Sequence, residues 1–247
     1  MSAGKSGVNV DEKLVEVGEY KVNVASTGAG PALVLLHGEE HRPSWRDWEP
    51  LLGLSDRFRL IMPDLVGFGK SSRPRETPDH KGQAAVVHEL LDVMKVDRAN
   101  FAGYSWGGQV ALEVALEWPE KVQGLVLVAS TYDKGQLPAM GKLGKPTLII
   151  WAEDDMVTQL KAGYLLRDAI RSSRIEVLPP VAKDPKHDFR YAHRLLTSRS
   201  AEVARLFRWF LASPDALTSE PPEIEKELRG MALKHETPDN WGTGKQG

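Results

Sequence analysis

Cysteine is absent from the 247-residue chain. That excludes disulfide staples, a thiolate nucleophile and a zinc–thiolate centre. An excess of either charge is absent too. Lysine and arginine number 32 against 34 aspartates and glutamates, a net charge of −2, which argues against a nucleic-acid partner or an anionic-membrane surface. No apolar run approaches the ~20 residues of a membrane-spanning helix. Residues 1–7 are small and polar, with no apolar segment of a secretory leader behind them. The expectation is a cytoplasmic protein with a small-molecule partner, no membrane partner and an open oligomeric state.

What is present reads as strands alternating with helices. Residues 13–17 and 20–24 alternate polar and apolar across Gly18-Glu19, the pattern of an antiparallel hairpin. Residues 32–36 form a continuous apolar run, as in a strand buried on both faces. An amphipathic helix over 45–54, a strand over 58–62 and a helix over 79–96 follow. Further strands are expected at 122–129, 147–151 and 174–178, with helices at 158–170 and 201–211. This order implies an α/β domain over 1–213. Its central sheet is mainly parallel, with helices on both faces and an N-terminal antiparallel hairpin. Residues 214–247 turn polar and proline-rich and read as a C-terminal extension.

The most informative stretch is Phe101-Ala-Gly103-Tyr104-Ser105-Trp106-Gly107-Gly108. A strand-like run passes into a helical pattern (Val110, Ala111, Val114, Ala115) within three residues. Such a turn leaves little room for Cβ atoms beside its apex, which accounts for Gly103 and Gly107. A serine at the apex is presented outward at a helix N-terminus, as a nucleophile would be. The alternative is a serine that merely caps the helix. Other motifs fail. Gly69-Lys70-Ser71 has Asp64 where a phosphate-binding loop needs glycine. Gly67-x-Gly69 lacks the third glycine of a dinucleotide site. His37 and His41 lie in a loop rather than on a helix, so no metal site is expected, and no cofactor.

In order, His37-Gly38 after a buried strand, Ser44-Trp45-x-x-Trp48, Asp64-x-x-Gly67-x-Gly69, Gly103-x-Ser105-x-Gly107, Trp151-x-x-x-Asp155 and a late histidine resemble the α/β-hydrolase fold family. The resemblance implies a triad running serine, acid, histidine along the chain. It makes Ser105 the nucleophile and selects Asp155 over Asp154 as the acid. For the base it leaves two histidines in a long loop. Counting back from the last helix selects His193, and counting forward from the last strand gives His187 as second choice. The backbone N–H groups of Trp106 and Glu39 would form the oxyanion hole, with the Glu39 and Glu40 carboxylates turned to solvent. Asp64 would be structural. Serine rather than aspartate at the apex argues against the dehalogenases and epoxide hydrolases of the same fold. Only residues 130–146 link two strands where many relatives insert a cap, so no cap domain is expected. Tyr104, Tyr132 and Met156 would then wall an open site. The resulting expectation is a serine hydrolase of small carboxylic esters, with a thioesterase, an amide deacylase or a non-catalytic binding protein as alternatives.

Overall fold

The computed structural model describes residues 7–40, 42–180, 190–213 and 217. His41, His187 and the extension beyond Ser213, Leu217 excepted, lie outside them. Eight strands form one sheet: β1 (Asp11–Val17), β2 (Tyr20–Thr27), β3 (Ala32–Leu36), β4 (Arg59–Pro63), β5 (Ala99–Tyr104), β6 (Val122–Val128), β7 (Thr147–Ala152) and β8 (Ser173–Leu178). Their spatial order is β1-β2-β4-β3-β5-β6-β7-β8. The hairpin β1–β2 and the pair β2–β4 are antiparallel, and every other pairing is parallel.

The period-2 geometry of a strand sends alternate side chains to opposite faces. One face carries Val34, Leu36, Phe101, Leu125, Leu127, Ile149 and Trp151. It is covered by α1 (His80–Val93), α2 (Trp106–Glu117), α3 (Leu137–Met140) and α4 (Leu160–Ala169). The other carries Leu33, Leu35, Ala102, Tyr104, Val126, Val128, Leu148 and Ile150. The 3-10 helix Trp45–Asp56, α5 (Leu195–Ser198) and α6 (Ser200–Ala212) cover it. Burial on both faces explains why the central strands are unbroken apolar runs.

Three of the differences from the sequence reading have a local reason. The segment after Ser44 is a 3-10 helix, with Pro50 inside removing a backbone donor. Helix α1 stops at Val93 rather than at 96. Lys95 adopts φ 55°, and the amides of Lys95 and Val96 bond back to Asp92 and Leu91, closing the helix end. Helix α4 starts at Leu160 rather than at 158, because the Asp155 carboxylate already engages the amides of Val157 and Thr158.

Residues 130–146 between β6 and β7 hold a single 3-10 turn and the four-residue α3. The segment is tied down by a buried polar contact. Gln136 donates to the Glu113 carboxylate of α2, and the His80 ring nitrogen of α1 stands 3.1 Å from the same oxygen.

The tightest packing surrounds the β5–α2 turn. A Cβ on Gly107 would lie 2.3 Å from the Leu36 carbonyl oxygen and 2.4 Å from that of His37. Both are backbone atoms of the neighbouring strand end and cannot swing aside. Gly107→Ala is expected to destabilise the fold by about 1–3 kcal/mol, the usual cost of overpacking. The midpoint of urea unfolding would report it, and an unchanged midpoint would contradict this packing.

Candidate active site

Ser105 sits between β5 and α2 at φ 52° and ψ −119°. A non-glycine residue at positive φ costs on the order of 1–3 kcal/mol and persists only where its surroundings enforce it. Here they do. The Ser105 amide donates to the Val128 carbonyl at 2.9 Å, and the Ser105 carbonyl accepts from the amides of Gly108 and Thr131, both at 3.0 Å. The side chain makes no capping bond to α2, so the helix-cap reading does not describe it. Its Oγ lies 3.1 Å from His193 Nε2 instead.

His193 is fully buried, and its Nδ1 lies 2.8 Å from Asp155 Oδ2. A carboxylate only accepts, so this contact puts the proton on Nδ1 and leaves Nε2 to accept from the serine hydroxyl. The rest of Asp155 is also engaged. Oδ1 accepts from the amides of Val157 at 2.8 Å and Thr158 at 3.0 Å, and Oδ2 accepts from the Thr158 hydroxyl at 3.0 Å. The structure thus brings Ser105, His193 and Asp155 into one hydrogen-bonded line. His187, the second choice for the base, is outside the described residues.

The loop after β3 abuts the serine. A Cβ on Gly38 would lie 3.3 Å from Ser105 Cβ, so Gly38 lets the two backbones meet. Buried His37 fixes this loop: its Nδ1–H donates to the Gly38 carbonyl at 2.7 Å, and its Nε2 accepts from the Leu65 amide at 2.9 Å. The bond accepted at Nε2 requires the neutral ring, and burial lowers its pKa in the same sense. Asp64 is likewise a girder. It accepts from the Asn23 side chain and from the amides of Trp45 and Lys70. Trp106 is the first residue of α2, where an amide N–H has no partner within its own helix.

The expected neighbours fall in different places. Glu39 is exposed. Glu40 does not face solvent as expected; it is half-buried and accepts from Arg194 Nε at 3.2 Å. The guanidinium next in sequence to His193 supplies the counter-charge that draws it in. Tyr104 is turned to the α6 face of the sheet, with its ring 5.3 Å from that of His193. Its buried hydroxyl has no hydrogen-bond partner among the described residues, and burial raises its pKa. It lines a cavity of about 160 Å³ with Glu40, Asp47, Arg194, Leu196 and Thr197. Tyr132 is half-buried against the α-helical layer beside Thr131. Met156 is 71% exposed. Thr158, Arg194 and Asp47 escaped the sequence reading. Thr158 alone had a signal there, since an Asp-x-x-Thr run is the signature of a carboxylate capping its own following amides.

Only with this geometry in view do the comparisons with known proteins bear on the site. Residues 31–141 match the model of the alpha/beta hydrolase fold. That stretch holds Ser105 and ends before Asp155 and His193. A 2-hydroxymuconate semialdehyde hydrolase of Pseudomonas sp. (strain CF600) is 31% identical over 134 residues, 53% of this chain and 47% of that protein. Haloalkane dehalogenase 2 of Mycobacterium tuberculosis is 36% identical over 115 residues, 43% of this chain and 37% of that protein. The chain thus spans less than half the length of these curated relatives. Among solved structures, 2-hydroxy-6-oxo-6-phenylhexa-2,4-dienoate hydrolase from Rhodococcus sp. strain RHA1 superposes with a TM-score of 0.73 at 18% identity, covering 83% of this chain and 100% of that one. A serine hydrolase involved in carbazole degradation gives 0.72 at 18% identity, covering 83% and 99%. The chain has the α/β-hydrolase fold.

Asp47 offers a check on this arrangement. Burial lifts its carboxyl to about 7 and the nearby charge of Glu40 adds to the rise, while the Gly38 amide and Arg194 pull the other way. A carboxyl whose folded pKa is raised contributes stability that is full below its unfolded pKa of ~3.9 and is lost as pH rises through about 7. Stability is expected to fall across that window with a slope of up to about 1.4 kcal/mol per pH unit from this group. Asp47→Asn keeps an oxygen for the Gly38 N–H and should flatten the slope. Urea titrations at pH 5 and pH 8 would measure it, and parallel pH profiles for the two proteins would contradict the assignment.

Proposed function

We propose that the protein is a serine hydrolase of small carboxylic esters, working through an acyl-enzyme. The observation that carries the reading is the continuous line from Ser105 Oγ through His193 to Asp155, at 3.1 and 2.8 Å. Ser105 attacks the ester carbonyl carbon while His193 Nε2 takes its proton. The same nitrogen then returns that proton to the departing alkoxide. Asp155 stabilises the imidazolium formed in between. Its other acceptor positions are already filled by Thr158 and Val157, so it need not reorient. Water, deprotonated by His193, releases the acid and frees the serine.

The oxygen that becomes negative needs donors. The Trp106 amide, unpaired within its helix, and the Glu39 amide beside Gly38 are the ones we assign. One such donor is worth ~2.7–4 kcal/mol in the transition state. The Arg194–Glu40 pair supports this role, because it neutralises a carboxylate of the loop that carries the Glu39 amide. The short α3 segment in place of a cap supports substrates that enter from an open side. The hydrolase names of the relatives agree with the reaction class, and a serine at the apex supports acyl transfer.

p-Nitrophenyl acetate turnover tests the reading. Ser105→Ala should lower kcat by at least about 10³-fold, leaving what binding and the amide donors alone provide. His193→Ala should lose a comparable factor while His187→Ala retains activity. Equal rates for the parent and Ser105→Ala would remove the enzyme assignment, leaving a non-catalytic binding protein. A panel of matched thioesters and acetylated amines separates the ester reading from its relatives.

A further inference from the structure

Four cationic side chains gather beside the serine on the side away from His193. A cleft of about 480 Å³ opens over the loop that leaves β4, between Arg42, Trp45 and Arg46 on one wall and Phe68, Lys70 and Arg73 on the other. The acidic group in its lining is Asp64, whose carboxylate is occupied by three hydrogen bonds from the loops it braces. Arg46 and Lys70 share Glu12, at 3.4 and 2.6 Å, and Arg46 also meets Glu49. Arg46 further stacks over the Trp45 ring, its guanidinium carbon 4.6 Å from the ring centre. Arg73 donates to the Gly69 carbonyl at 3.1 Å. Among the described residues neither Arg42 nor Arg73 has a carboxylate within 4.0 Å. Among the described residues Arg42 and Arg73 therefore bring guanidinium charge to the cleft without an ion-pair partner, and guanidinium forks match the geometry of a carboxylate.

Its position relates it to the chemistry. The Phe68 ring lines the cleft and meets the Trp106 ring edge-on, with centroids 5.7 Å apart. An apolar floor thus runs from the cleft to the residue that follows Ser105. Strands β4 and β5 are separated by β3 alone, which sets the cleft roughly 10 Å from the serine at ~4.8 Å per strand. His193 and Asp155 approach from the β7–β8 side. The leaving oxygen must face His193 Nε2 to receive its proton, so the acyl portion is the part that extends toward β4.

We propose that this cleft is a subsite for the anionic end of the acyl chain, a carboxylate about 10 Å beyond the ester carbonyl. It rests on the ester-hydrolase reading and names its substrate class: monoesters of medium-chain dicarboxylic acids. An extended chain gains 3.3–3.6 Å per three bonds, so the eight bonds from the carbonyl carbon of a suberyl chain to its distal carboxylate oxygens reach about 9 Å, close to that gap. The reacting bonds are those already described. The Ser105 Oγ–acyl bond forms, the bond from the carbonyl carbon to the alcohol oxygen breaks, that oxygen leaves with the proton carried by His193, and water completes hydrolysis. The distal carboxylate is unchanged throughout.

The test compares p-nitrophenyl hydrogen suberate with p-nitrophenyl methyl suberate, identical but for the charge at the far end. The parent should favour the anion by about tenfold or more in kcat/KM, and 0.5 M NaCl should erode that preference through screening. The corresponding pair of succinates, too short to span the gap, should show little preference. Arg42→Gln/Arg73→Gln should reduce the suberate preference below about threefold. Lys161→Gln/Arg205→Gln, which removes the same charge from exposed positions on α4 and α6, should keep it. Equal rates for the two suberates, or equal loss in both double variants, would overturn the subsite.

A binding measurement separates this proposal from the reaction on which it rests. Calorimetry of monomethyl suberate against dimethyl suberate on Ser105→Ala needs no turnover. Selective binding of the monoanion without hydrolysis by the parent would keep the subsite and remove the hydrolase reading. Hydrolysis without charge selectivity would do the reverse, and neither binding selectivity nor hydrolysis would remove both.

Discussion

Three places around residue 105 leave no space for one further carbon atom, and the site is hung from them. A Cβ on Gly103 would strike the Gly107 carbonyl oxygen at 2.3 Å, one on Gly107 the Leu36 carbonyl oxygen at 2.3 Å, and one on Gly108 the Ser130 hydroxyl at 2.1 Å. Strand β5, helix α2 and the ends of β3 and β6 are thereby pressed together at the main chain. A turn this tight forces Ser105 into a left-handed φ and, with its carbonyl bonded to Gly108 and Thr131, holds it there. The strain is balanced by a core that is apolar on both faces of the sheet, so the serine's direction is set by packing rather than by its own preference.

Around that fixed point the charges are arranged in pairs that satisfy one another. His37 is kept neutral by accepting one amide and donating to one carbonyl. Asp155 spends its acceptor capacity on one loop and one imidazole. Arg194 answers Glu40. Asp47 stands apart. It is half-buried near another carboxylate, and the Gly38 amide and Arg194 only partly compensate. The loop that shapes the serine's surroundings therefore rests on a group that gives up its proton near neutrality.

The sheet and the turn that carries Ser105 were legible because their signals are local. Period-2 alternation marked β1 and β2, unbroken apolar runs marked the buried parallel strands, and glycines spaced around Ser105 marked the turn. Choosing Asp155 and His193 drew on family resemblance, since nothing local distinguishes Asp155 from Asp154. Other features were legible only in three dimensions. Glu40 looked exposed like Glu39 because its counter-charge is 154 positions away. Tyr104 was read as part of the site from its place beside Ser105, but that its ring lies 5.3 Å from that of His193 shows only in three dimensions. The cationic cleft combines residues from two separate loops, which no single window of sequence brings together.

The crossover between β6 and β7 holds a further consequence. Its first residues are anchored, Thr131 through its amide to the Ser105 carbonyl and through its hydroxyl to Gln109 at 3.1 Å. Beyond them Lys134, Gly135 and Ala139 are exposed. A longer insert spliced at that outer bend would leave the anchors in place, offering protein engineers an acceptor point for a transplanted lid.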